Sequence, residues 1–260
     1  MLTIIFIIIV IIILLVLVII FNRPRMINTL NDKTTYKYSN LREKFKTGDI
    51  ILFSYIKHDN LFKKLTYQCR TTFLGFEYGH AGLVMKHDGN LYVVECTDTE
   101  HVDNDKCIYL NNKSENDKCV HLNNKKRGGI RIFEMDTLLD KYYRENEGHF
   151  GVKFISQEIP SNIILSSLKK YENITFENKI SVLCIALIDI FVSHQFAETI
   201  LEYHNNTDRM MCTEFLHRIL NEANILKPYP SKLFWPHKIN DVDFEKIEKI
   251  KFSKIHRFII

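Results

Sequence analysis

The chain has 260 residues, of which 46% are hydrophobic and 25% charged, and a formal net charge of +4. That length suits one domain of moderate size with appendages, and that composition is globular. The small charge excess sits on scattered lysines with no basic stretch interleaved with aromatics, which excludes a dedicated nucleic-acid binder; six cysteines without a C-x-x-C pair exclude a zinc knuckle or a redox dithiol.

Residues 2–21 are apolar apart from Thr3, close to the roughly 20 residues of a membrane-crossing helix. The run lacks the positive n-region, short apolar core and small-residue cleavage site of a signal peptide. It reads as an uncleaved single-pass anchor over residues 1–22, which makes the membrane the first expected partner. Arg23 and Arg25 follow it and no Lys or Arg precedes it. The charge bias therefore puts the rest of the chain on the cytoplasmic side. Residues 23–46 read as a polar tether, and 47–260 as the folded domain.

Within that domain, Thr47-Gly48-Asp49 is a turn and Ile50-Ile51-Leu52-Phe53 a short buried strand. A short helix is expected near residues 61–69. A strand over 79–85 has His80 at its mouth, Asp88-Gly89-Asn90 signals a hairpin, and 91–96 is the returning strand. On a period of two, Leu91, Val93 and Glu95 share one face and Cys96 points to the other. Residues 105–125 hold a nine-residue unit, Asp105 to Lys113, that recurs as Asp117 to Lys125. It reads as a duplicated loop inserted between core strands. Its Cys107 and Cys119, with His101 and His121, fit no common zinc spacing, so no metal or cofactor is expected.

Further strands are expected over 128–133 and 149–155, with helices over 135–143, 161–171 and 179–203. Leu138, Leu139 and Tyr142 lie on one side of the first of these helices. Pro228, Pro230 and Pro236 mark an extended segment, and 241–260 alternates charged and apolar residues as an edge element would.

The helix that opens around Cys212 has the sharpest chemistry. Met211, Phe215, Leu216, Ile219 and Ala223 recur at helical spacing on one apolar face. Asp208 is the expected N-cap, with Glu214 at the first turn. A cysteine at a helix N-terminus meets unpaired amides and the positive end of the dipole, which favour the thiolate. A thiolate there is a nucleophile if a base reaches it. His80 at a strand mouth supplies a base. Glu95 on the neighbouring strand can fix the imidazole tautomer. Cys212, His80 and Glu95 are the expected catalytic residues, provided the helix packs across the strand ends. His217 does not face the thiol, since only positions three and four apart are helical neighbours.

Five segments then align with a known family: Thr47-Gly48-Asp49-Ile50-Ile51-Leu52-Phe53; Gly79-His80-Ala81-Gly82-Leu83-Val84; Val93-Val94-Glu95-Cys96; Gly129-Ile130-Arg131-Ile132; and Met211-Cys212-Thr213-Glu214-Phe215. In this order they resemble the permuted papain-like amidases, the YiiX/YaeF-like branch of the NlpC/P60 superfamily, which includes poxvirus members. The resemblance spans residues 47 to about 235, and Thr213 stands where the family more often has Ser. It implies an α+β, circularly permuted papain-like fold, with an antiparallel sheet packed on helices after the transmembrane helix. It also implies His80 as base, Glu95 as third polar residue and Cys212 as nucleophile. The expected function is a membrane-anchored cysteine hydrolase, in a host or virion membrane, that cleaves an amide, ester or thioester through a thioester intermediate. Acylated, lipidated or peptide substrates are its expected partners. A lipid or amine acyltransferase, and an inactive membrane-tethered binding module, stay open beside it. The Cys212 amide is the natural oxyanion donor, with Tyr78 or Tyr55 as weaker options for the second.

Overall fold

A computed structural model of the chain describes residues 34–54, 76–97, 129–171, 174–177, 209–227 and 250–260, with positions 181, 199 and 239. In chain order they form β1 (Thr35–Lys37), α1 (Tyr38–Leu41), β2 (Ile50–Phe53), β3 (His80–His87), β4 (Asn90–Thr97), β5 (Gly129–Glu134), α2 (Met135–Asn146), β6 (Phe150–Ile155), α3 (Ser161–Lys170), β7 (Thr175–Phe176), β8 (Arg209–Met210), α4 (Cys212–Glu222) and β9 (Phe252–Ile259). Seven of these strands make one sheet in the order β1-β9-β6-β2-β3-β4-β5, and β7 pairs with β8 separately.

The central strand β2 is apolar at every position and buried at every position, because helices cover both faces of the sheet there. β3 and β4 form a hairpin with Asp88 and Gly89 between the paired ends His87 and Asn90. Both turn residues have positive φ, +48° and +79°, the geometry that matches the twist of the two strands and that Asp-Gly adopts readily.

Strand alternation sorts the core into two layers. On one face Leu52, Ala81, Leu83, Val94 and Cys96 pack against Phe215, Leu216, Ile219 and Leu220 of α4 and Ile164 and Leu168 of α3. On the other, Ile51, Phe53, Val84, Val93 and Phe150 pack against Leu138 and Leu139 of α2 and Leu41 and Phe45. The apolar stripe read from Phe215, Leu216 and Ile219 is therefore what docks α4 on β3 and β4.

The turn before β2 ties three strands together. Asp49 is fully buried. Its Oδ2 accepts the Lys46 N–H at 2.8 Å and its Oδ1 accepts the Ile155 N–H at 2.9 Å. Its own backbone carbonyl accepts the Val84 N–H, and Gly48 N–H donates to the Val84 carbonyl. Gly48 takes φ +104°, and a Cβ there would lie 2.7 Å from Ile159 Cγ1, so both conformation and space demand glycine.

Three expectations need correcting. The sheet is mixed, not antiparallel: β1 runs parallel to β9, pairing Tyr36 with Phe258. β9 is also an interior strand, since β1 covers it. Second, residues 35–45, read as part of a tether, belong to the fold and bury Leu41 and Phe45; their few apolar residues are too widely spaced to stand out in a polar stretch. Third, the transmembrane helix and the single-pass membrane localisation are not upheld: among the described residues no helix is long and apolar enough to cross a membrane. Residues 2–21, which carried that expectation, lie outside the described residues, as do the 105–125 repeat, the helix expected near 61–69, most of that over 179–203, and the proline segment after 227.

Candidate active site

His80 is the first residue of β3 and pairs in register with Phe53 of β2. Glu95 lies on β4, on the same face. The two side chains meet, His80 Nε2 lying 2.8 Å from Glu95 Oε2. Both are buried, 6% and 1% exposed. The spacing is that of a charge-assisted hydrogen bond, and it commits Nε2 to the carboxylate. Gly82 lets the strands close here. A Cβ on it would lie 2.7 Å from Val93 Cγ1 and 3.2 Å from the Val94 carbonyl oxygen, next to Glu95.

Cys212 is the first residue of α4, 7% exposed. Its cap is Met211 in extended conformation, not Asp208. Glu214 becomes the third helical residue and is fully buried. Its Oε2 accepts the Met211 N–H at 3.4 Å and its Oε1 accepts from Arg218 at 2.9 Å. The first-turn carboxylate expected to steady the helix start therefore does so by direct hydrogen bonding. Cys96, on the α4 face of β4, donates its thiol to the Met210 carbonyl at 3.5 Å. Burial pushes the Cys96 thiol well up, and Cys212, Glu214 and Glu95 add to it. Cys96 is thus held neutral in the core.

These contacts put all three expected residues at one end of the sheet: the start of β3, the end of β4 and the start of α4. His80 and Glu95 are in contact. They lie on the α2 face, where the His80 ring packs against Phe53 and Tyr142. Cys212 begins the helix on the opposite face, beside Cys96. The apolar stripe of α4 packs it on that face.

Tyr78, one option for a second oxyanion donor, is fully buried. Its ring packs edge-on to Phe76 and His149, and a Cβ on Gly151 would touch its hydroxyl. It is a packing residue between β3 and β6. Tyr55 lies outside the described residues. Among the described residues no group of three or more His, Cys, Asp or Glu is arranged to hold a metal.

A second histidine–carboxylate pair was not visible in sequence. His149 Nε2 lies 2.8 Å from Glu77 Oε2, and Arg257 donates to His149 Nδ1 at 3.1 Å. Burial raises the Glu77 carboxyl, but His149 and Arg257 outweigh it and hold it below the ordinary range. Glu77, His149 and Arg257 come from three distant segments with no shared spacing, so only the fold brings them together. Here both imidazole nitrogens are engaged, which suits a clamp between β6, β9 and the β3 approach. Replacing His149 by Ala should cost about 1–3 kcal/mol in urea unfolding, because Glu77 and Arg257 each lose a hydrogen-bond partner in the interior. It should leave thiol labelling of Cys212 unchanged.

His217 is buried, 1% exposed. Burial lowers its pKa from 6.5 to about 4, against the opposing bond to the Lys227 backbone and with help from Arg218. The unfolded chain therefore takes up this proton before the folded one. Stability is full above about pH 6.5 and falls as pH drops toward about 4, by about 2–3 kcal/mol. In urea unfolding across that range, the stability advantage of the wild type over His217→Asn should shrink as the pH falls.

No protein-family profile matches the chain. It is 39% identical over 240 residues to an uncharacterized protein of Acanthamoeba polyphaga mimivirus, covering 92% of this chain and 90% of the relative. The chain belongs to the family of that viral protein. Among solved structures, the metalloprotein yiiX of Escherichia coli O157:H7 superposes with a TM-score of 0.38 at 10% identity, covering 80% of this chain and 96% of that one.

Proposed function

We propose that the protein is a cysteine hydrolase that transfers an acyl group from an amide, ester or thioester to water. The observation that carries this reading is the buried His80–Glu95 contact at 2.8 Å, at the sheet end where α4 begins with Cys212. With Nε2 committed to Glu95, Nδ1 is the nitrogen that takes the Cys212 proton. The thiolate sulfur then bonds to the carbonyl carbon, and backbone amides at the start of α4 face the developing oxyanion. As the C–N, C–O or C–S bond breaks, the imidazolium returns its proton to the leaving group. Water, deprotonated by His80, cleaves the thioester and restores the thiol. Glu95 holds the tautomer and steadies the imidazolium throughout.

The test is turnover of a panel of activated acyl esters, peptidyl amides and acyl thioesters by the purified chain. At least one class should be hydrolysed by the wild type and not by Cys212→Ala. Hydrolysis that survives Cys212→Ala, or none across the panel, would count against the reading.

A further inference from the structure

Met211 caps α4 in extended conformation, and a methionine has no side-chain oxygen to accept the amides of the first turn. Glu214 makes up part of that deficit by bonding back to the Met211 N–H. The carboxylate that does so works against the nucleophile. Glu214 stands two residues after Cys212 and is fully buried, so water screens its charge poorly. A negative charge so placed opposes a thiolate at Cys212. Its reach shows on the neighbouring strand, where burial, then Cys212, then Glu214 push the Cys96 thiol up.

Arg218 offsets that charge. It lies one turn further along α4, and its guanidinium donates to Glu214 Oε1 at 2.9 Å from a side chain only 20% exposed. The other oxygen, Oε2, stays on the Met211 N–H. The cap therefore persists while its charge is balanced. The described residues place other charged or titratable groups around the start of α4. These are His80 of β3, Glu95 and Cys96 of β4, and Arg131, which pairs with Glu95 from β5. Glu177 and Arg209 lie where β7 meets β8, with the Glu177 N–H on the Met210 carbonyl. His217 is buried on α4 itself, and Lys170 of α3 bonds Glu222 at the far end of the helix.

We propose that Arg218 is a positioning residue for the nucleophile, acting through Glu214: it balances the buried charge of the cap, so that α4 keeps a bonded first turn and Cys212 still meets a helix start that favours the thiolate. The inference rests on the hydrolase reading above and adds to it a pair that lies outside the expected triad.

The experiment measures iodoacetamide labelling of Cys212 against pH by peptide mass spectrometry, with the unfolding midpoint of each variant. Arg218→Met leaves the Glu214 charge unbalanced. Its labelling midpoint should move up by about one pH unit, which slows labelling at pH 7 by up to about tenfold. Glu214→Gln can still accept the Met211 N–H but carries no charge, so its midpoint should move down. The double variant restores the balance and should return to within a few tenths of a unit, roughly. Arg218→Lys keeps the charge and should stay near wild type. Both residues make further contacts; losing those would disturb the two single variants alike, whereas charge moves them in opposite directions. Arg218→Met strands a buried carboxylate and is the variant most exposed to misfolding; Glu214→Gln and Arg218→Lys then decide the matter by themselves. The inference is overturned if Glu214→Gln leaves the midpoint in place or raises it, if Arg218→Lys behaves as Arg218→Met, or if the double variant shows the shift of either single one. Labelling that is indifferent to His80→Ala would instead remove the hydrolase reading beneath it, a separate result from the same assay.

Discussion

His80→Ala is expected to slow labelling of Cys212 and turnover of any acyl substrate by about 10²–10⁴-fold, the range that a positioned general base contributes. The change removes the group that takes the thiol proton and leaves the Cys212 helix untouched. It also strands Glu95, 1% exposed, without its partner at 2.8 Å. Some loss of stability, about 3–5 kcal/mol, is therefore expected as well. The two effects separate by experiment. Glu95→Gln keeps a hydrogen-bonding side chain next to the imidazole and loses the charge, so its rate should fall less, on the order of tenfold, with a smaller stability loss. His149→Ala breaks a pair of the same length and should change stability alone. A protein in which His80→Ala and His149→Ala lower labelling equally would have no special base at the start of β3.

Asp49→Ala should produce the largest loss of stability away from the candidate site, about 3 kcal/mol or more. Two backbone N–H groups, of Lys46 and Ile155, lose their carboxylate acceptor in the interior. Bonds to a charged group contribute roughly 1.5–3 kcal/mol each, and a buried donor left unpaired is costly. The carboxylate also carries a pH signature. Burial raises its pKa from 3.8 to about 6, against the lowering effect of those two amide bonds. The folded state thus holds this proton more tightly than the unfolded one. Its contribution is present below about pH 4 and is lost as pH rises through about 6, opposite in sign to His217. Urea unfolding of Asp49→Ala across pH 4–7 should show a lower midpoint throughout and no trace of this component. An unchanged midpoint at pH 7 would contradict the role given to the turn.

What could be read in the sequence was local. Ile50 to Phe53 is a continuous apolar run, so it had to be a buried strand. Asp88-Gly89 had to turn a hairpin, and the spacing of Phe215, Leu216 and Ile219 had to give α4 one apolar face. The alternation that put Glu95 and Cys96 on opposite faces is a two-residue period and survives folding intact. Long-range placement was not legible. Nothing in Tyr36 announces a parallel pairing with Phe258, and Leu41 and Phe45 are too sparse to reveal a core. The sheet face taken by α4 depends on which strand face it meets, not on its own pattern. The grouping of Glu77, His149 and Arg257, and the Tyr142 ring over His80, are products of topology. The apolar run over residues 2–21 matched a membrane helix by composition alone, and among the described residues no helix has that character.

Cys212 should carry the acyl group when the protein is mixed with an activated acyl ester, quenched in acid within the first turnover, and mapped by peptide mass spectrometry. The adduct is predicted on the peptide containing Cys212 in the wild type and should be nearly absent at the same time from His80→Ala. Acyl groups found on Cys96 or on lysines instead, or equal adduct on Cys212 in both proteins, would contradict a nucleophile served by the His80–Glu95 pair.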